Sequence, residues 1–119
     1  EHGPFYGILG YSQGCPMATV YIANSNTSFE KAFLFNGYLP TTHSGLNDTI
    51  NEVAPLDVDA LIFGGDNDVF IFGVEELEGV YQEPTIIISS TADHHLPSSD
   101  DETYGDVLAF FRQGTNGTL

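Results

Sequence analysis

Four continuous apolar runs constrain most strongly what this chain can fold into. They are Gly7-Ile8-Leu9-Gly10-Tyr11, Ala32-Phe33-Leu34-Phe35, Ala60-Leu61-Ile62-Phe63 and Thr85-Ile86-Ile87-Ile88. None alternates apolar with polar, and all are short, so each reads as a strand buried on both faces. They stop at Ser12, Asn36-Gly37, Gly64-Gly65 and Ser89-Ser90. Between them lie segments with helical spacing. Residues 14–24 carry Met17, Ala18, Tyr21 and Ile22, with Pro16 in the first turn, where its missing N–H costs nothing. Part of 46–53 predicts a short helix, and 73–82 an acidic one. A last helix is expected from about Asp101 to Arg112, with acids at its start, Arg112 at its end and Gly114 beyond. Strand and helix alternate four times. The fold class is therefore α/β, a parallel sheet with flanking helices and right-handed crossovers. The 119 residues suit one domain, expected over 1–114 with a tail at 115–119.

Charge removes several function classes. The chain holds 17 Asp and Glu against 2 Lys and Arg, a formal net charge of -15. Lys31 and Arg112 cannot form a basic patch, so nucleic acid and anionic lipid are not expected partners. Hydrophobic residues make up 41% of the chain, which sets it apart from a disordered acidic tail. No apolar run reaches the length of a membrane span, and residues 1–14 lack the basic and apolar regions of a signal peptide. The lone Cys15 forms no intrachain disulfide and no Cys-based zinc site; without a basic neighbour it reads as a small core residue or part of a pocket floor. Three sequons, at Asn26, Asn47 and Asn116, fall where loops or a tail are expected, and they mark candidate N-glycosylation sites.

Ligands of a parallel sheet bind beyond the carboxyl ends of its strands. Ser12 and Gln13 follow the first run, Gly37 and Tyr38 the second, Asp66 and Asp68 the third, and Asp93, His94 and His95 the fourth. Gly10-Tyr11-Ser12-Gln13-Gly14 fits G-x-S-x-G between a strand and a helix, the nucleophile elbow. Its glycines are expected to relieve clashes at a strained turn. The Gln13 amide is expected to be one oxyanion donor. Asp68 has the better spacing to turn back toward a histidine, with Asp66 its rival. His94 is favoured as base with His95 outward, since only one of two adjacent side chains points into a site. A metal site from the His pair and Asp93 lacks a third well-spaced ligand. The aspartates at 57, 59, 66 and 68 miss the calcium-loop spacing, and no G-K-[ST] follows Gly64-Gly65. His2 and His43 read as surface residues.

These motifs resemble the FSH-type serine hydrolase family of the α/β-hydrolase superfamily. Residues 3–14, Gly-Pro-Phe-Tyr-Gly-Ile-Leu-Gly-Tyr-Ser-Gln-Gly, are similar to its G-P-F-D-G-[IV]-x-G-F-S-Q-G signature. Phe35-Asn36-Gly37-Tyr38 resembles its I-S-G-[FY] strand end, Gly65-x-x-Asp68 its acid segment, and His94-x-Leu96-Pro97 its H-x-[VI]-P segment. The resemblance implies Ser12 as nucleophile, His94 as base and Asp68 as orienting acid, acting on carboxylic esters without a cofactor. Tyr6 stands where the family has Asp, Cys15-Pro16 where it has small residues, and Ala92-Asp93 where it has Gly-Gly before the histidine. The resemblance also implies that the chain corresponds to the C-terminal half of the fold, lacking the N-terminal strands. An upstream segment or another chain would then complete the sheet. The competing expectation is a non-catalytic, α/β-hydrolase-like subunit of a larger, glycosylated assembly. The sequons point to the secretory pathway and the family's habit to the cytoplasm, and the sequence leaves both open.

Overall fold

The computed structural model describes residues 5–24 and 29–112. In chain order the elements are β1 (Phe5–Tyr11), α1 (Gly14–Asn24), β2 (Phe29–Phe35), α2 (Ser44–Val53), β3 (Asp59–Gly65), α3 (Gly73–Glu78), β4 (Thr85–Ser89) and α4 (Tyr104–Arg112). The strands form one sheet in the order β1-β2-β3-β4, and every pairing is parallel. The expected α/β architecture is thus present, with a helix after each strand.

The sheet separates two cores. On one face Ala32, Leu34, Ala60 and Ile62 meet Cys15 and Ala18 of α1, Ile50 of α2, and Val74 and Leu77 of α3. On the other, Phe33, Phe35, Leu61 and Phe63 meet Phe110 of α4. Phe33 and Phe110 pack edge to face with centroids 5.6 Å apart. The Lys31 ammonium lies 4.1 Å above the Phe110 ring and 3.1 Å from Asp59, so one of the two basic residues is spent inside the fold.

Burial on both faces holds for β2 and β3 and fails at the edges. Leu9 of β1 is 58% exposed and Ile88 of β4 46%. Each is an edge strand among the described residues; Leu9 lies on the α4 side of the sheet and Ile88 on the side of Gly64, where α3 packs. Leu9, Phe33, Phe35, Leu96, Val107 and Phe111 border an open groove of about 200 Å³ on the α4 side.

Three local expectations are corrected. The buried side of α1 is Cys15, Ala18 and Thr19, while Met17 and Tyr21 face outward, 72% and 50% exposed. Small residues are needed inward because α1 starts hard against β1. A Cβ on Gly10 would lie 2.7 Å from the Gly14 carbonyl oxygen and 2.9 Å from the Cys15 Cα. The acidic helix ends at Glu78, not at 82. Gly79 closes it, and Val80 and Tyr81 turn inward, where Leu56 donates to the Val80 carbonyl and Gln82 to the Leu56 carbonyl. The last helix begins at Tyr104, not near Asp101. Asp101 instead accepts from the Thr103 amide at 2.7 Å, from the Thr103 hydroxyl at 2.6 Å and from the Ser89 hydroxyl at 2.7 Å, tying the approach to α4 to the end of β4.

Candidate active site

The register sets the strand ends side by side. Tyr11 pairs with Phe35 and Phe35 with Phe63. The ladder continues one step further: the Ser12 amide donates to the Phe35 carbonyl and the Asn36 amide to the Phe63 carbonyl, both at 2.9 Å. Ser12 therefore stands at the carboxyl edge, between β1 and α1. Its φ is 56°, a left-handed conformation that costs a non-glycine residue about 1–3 kcal/mol and marks functional turns. Gly10 is required there for close approach. Gly14 is not, since nothing lies within 4 Å of a Cβ placed on it, so the steric argument for both elbow glycines holds for the first alone.

Ser12 Oγ lies 2.8 Å from His94 Nε2, and His94 Nδ1 lies 2.8 Å from Asp68 Oδ2. A carboxylate only accepts, so Nδ1 carries the proton, and Nε2 is left to accept from the Ser12 hydroxyl. The Asp68 side chain is 1% exposed and the His94 side chain 31%. Burial pushes the Asp68 carboxyl up. Hydrogen bonds from His94, from the Phe70 amide at 3.0 Å and from Asn36 at 3.3 Å, with the charge of the imidazole, outweigh it and hold the carboxyl below its ordinary value.

The rival positions lie elsewhere. Asp66 is exposed, and its amide continues the sheet by donating to the Ser89 carbonyl. His95 is exposed, with Nδ1 toward the Leu96 carbonyl and Nε2 toward the Asp93 amide. The Asp93 carboxylate turns to the His94 backbone amide, at 2.8 Å, and away from the imidazole. Among the described residues no group of three His, Cys, Asp or Glu is arranged to hold a metal ion. Gln13 is exposed between Ser12 and α1, and its amide meets no acceptor among the described residues. Cys15 lies in the core behind the elbow, and burial pushes its thiol up to about 12.

Of the sequon residues, Asn26 and Asn116 lie outside the described residues, as does the expected tail. Asn47 is not in a loop. It sits in the first turn of α2, half-buried, with Oδ1 buried and unpartnered. His43 does more than face solvent: its Nδ1 accepts from the Leu46 amide at 3.2 Å and caps α2.

Phe70, Phe72 and the contacts of Asn36 escaped the sequence reading, which places Tyr11 and Tyr38 at strand ends without giving them a role. Phe70 and Tyr11 flank the imidazole with centroids 5.2 and 5.4 Å from it. Tyr38 and Phe72 extend the aromatic cluster from Phe70, with centroids 5.3 and 6.0 Å from its ring. Asn36 also has φ 56° and is 1% exposed, with its amide nitrogen toward Asp68. For Asn36 the sequence offers only a polar residue before a glycine at a strand end, which reads equally well as a turn. The aromatics after Asp68 carry no mark either, because loop aromatics read equally well as core.

A parallel sheet with a Ser-turn-helix elbow at its carboxyl edge, and a histidine and an acid from later strand ends, defines an α/β-hydrolase-like protein. The model of the family described as serine hydrolase (FSH1) matches residues 1–104, and the chain belongs to that family. Neither the curated proteins nor the solved structures return a significant match.

Proposed function

We propose that the protein hydrolyses carboxylic esters through a Ser12 acyl-enzyme, with His94 as general base and acid and Asp68 as the orienting carboxylate. The observation that carries this reading is the hydrogen-bonded line Ser12–His94–Asp68 on a positive-φ elbow, in a chain of a serine hydrolase family. His94 Nε2 takes the Ser12 proton as Oγ bonds to the ester carbonyl carbon. Negative charge develops on the carbonyl oxygen, in reach of the Gln13 amide. The intermediate collapses by breaking the C–O bond to the alcohol, which leaves with the proton held by His94. Water then repeats the sequence against the acyl-enzyme, releasing the acid and restoring Ser12. The wall of Tyr11, Tyr38, Phe70 and Phe72 supports an uncharged, apolar group beside the reacting carbon. The exposed acids Asp66 and Asp93 disfavour an anionic substrate.

A fluorophosphonate probe, with mass-spectrometric mapping of the adduct, tests the proposal. Labelling is expected on Ser12, and Ser12→Ala should abolish both labelling and hydrolysis of a p-nitrophenyl ester. A protein that is folded and unlabelled at Ser12 would instead favour the non-catalytic subunit.

A further inference from the structure

The loop that carries His94 is held by four consecutive carbonyls, bonded to three residues at the ends of three strands: Asn67 after β3 twice, Asn36 after β2 and Tyr11 of β1. Thr91 O accepts from Asn67 Nδ2 at 3.2 Å, and Ala92 O from the Asn67 amide at 3.1 Å. Asp93 O accepts from Asn36 Nδ2 at 3.2 Å, and His94 O from the Tyr11 hydroxyl at 2.7 Å. One of these donors does something the others do not. Asn36 Nδ2 also lies 3.3 Å from Asp68 Oδ2, so one amide group bridges the acid to the backbone beside the histidine. Both partners are acceptors, so the NH2 end must face them. Asn36 Oδ1 is then left buried without a partner, an arrangement that costs free energy and is kept in spite of it. The residue also adopts φ 56°, which asparagine tolerates better than most side chains.

We infer that Asn36 is a positioning residue. Its single amide sets Asp68 and the His94 loop at their mutual distance, and so fixes the line from Asp68 through the imidazole to Ser12. The inference rests on the catalytic reading above for its consequence in rate, and on the geometry alone for its consequence in structure.

Two substitutions keep the left-handed backbone and remove the bridge. Asn36→Gly deletes the amide, and Asn36→Asp keeps the shape but turns a donor into an acceptor facing Asp68 Oδ2 and the Asp93 carbonyl. Both should slow fluorophosphonate labelling of Ser12 and lower kcat for a p-nitrophenyl ester by about 10- to 100-fold, as loss of an outer partner does elsewhere, with KM little changed. In Asn36→Asp the added negative charge favours the charged imidazole, so the acidic limb of the pH–rate profile should move to higher pH. Asn36→Ser, with one hydroxyl donor, should fall between wild type and Asn36→Gly. A second readout needs no turnover: the low-field proton resonance of His94 Nδ1, assigned by its absence from His94→Ala, should weaken or shift in both Asn36 variants while thermal unfolding stays cooperative. Wild-type labelling rates, an unmoved pH profile and an unmoved low-field resonance in both variants would overturn the inference. If wild type itself is not labelled, the catalytic reading fails. The resonance then decides alone: its loss in the variants supports the positioning role, and its persistence overturns it.

Discussion

Asp68 shows how much a single side chain depends on what surrounds it. It is one of 17 acids, yet it is buried and accepts from His94, Asn36 and the Phe70 amide at once. Asp68→Asn should leave the backbone intact and present an amide to His94 Nδ1, favouring the wrong tautomer. Steady-state assay of a p-nitrophenyl ester should then show a kcat loss on the order of 10⁴, the scale known for such a change in a Ser-His-Asp enzyme. His95→Ala should stay within about twofold of wild type, since its ring hydrogen-bonds the Leu96 carbonyl and the Asp93 amide and neither Ser12 nor Asp68. Cys15 supplies a contrast. Its thiol contacts the Gly10 carbonyl at 3.3 Å and the Phe35 carbonyl at 3.5 Å, and burial holds its pKa at about 12. Iodoacetamide at pH 8 should leave it unmodified in the folded protein and alkylate it in urea; rapid modification of the native form would contradict the packing.

At the scale of elements, close approach decides which segments can sit side by side. A Cβ on Gly73, at the start of α3, would overlap the Gly37 carbonyl oxygen after β2. Backbone cannot step aside as a side chain can, so Gly73→Ala should lower stability by about 1–3 kcal/mol in urea unfolding. An unchanged midpoint would mean that the two segments are farther apart. The cap of α2 is a smaller effect of the same local kind. His43→Ala removes the acceptor for the Leu46 amide and should cost about 0.5–1 kcal/mol, with Asp or Ser at 43 restoring it. The helix was legible in the sequence, but its start was placed too late. The signal was a histidine cap, which the usual set of Ser, Thr, Asp and Asn does not include.

For the molecule as a whole, charge and pH pull in identifiable directions. Asp101, like Asp68, is held below its ordinary value, chiefly by the Thr103 hydroxyl. Glu102 is held there by the Ser90 amide and hydroxyl. Carboxylates whose folded values are depressed add stability that is fully present above the unfolded value, near 4, and lost as pH falls through the folded value. Thermal stability should therefore fall as pH drops below about 4, with Asp68, Asp101 and Glu102 contributing; a rise in Tm on acidification through that range would count against it. At neutral pH the net charge of -15 opposes compaction. Raising salt through about 0.1 M, where the screening length is about 10 Å, should raise Tm.

The sequence by itself determined the alternation of strand and helix, the parallel sheet and the three strand ends that carry Ser12, Asp68 and His94. Those depend on local apolar runs and on turn chemistry, which neighbours in the chain specify. It could rank Asp68 over Asp66 and His94 over His95 only by spacing. The choice between them depends on which side chain the packed strand ends turn inward, a matter of contacts between residues 26 and 82 positions apart. The outward face of Met17 and Tyr21, the short α3 and the half-covered edge strands were likewise beyond local reading, because each is set by what another element leaves room for. Asn36 is the clearest case. Next to a glycine at the end of an apolar run it reads as a turn residue; only the parallel register places its amide between an acid from β3 and the histidine loop beyond β4.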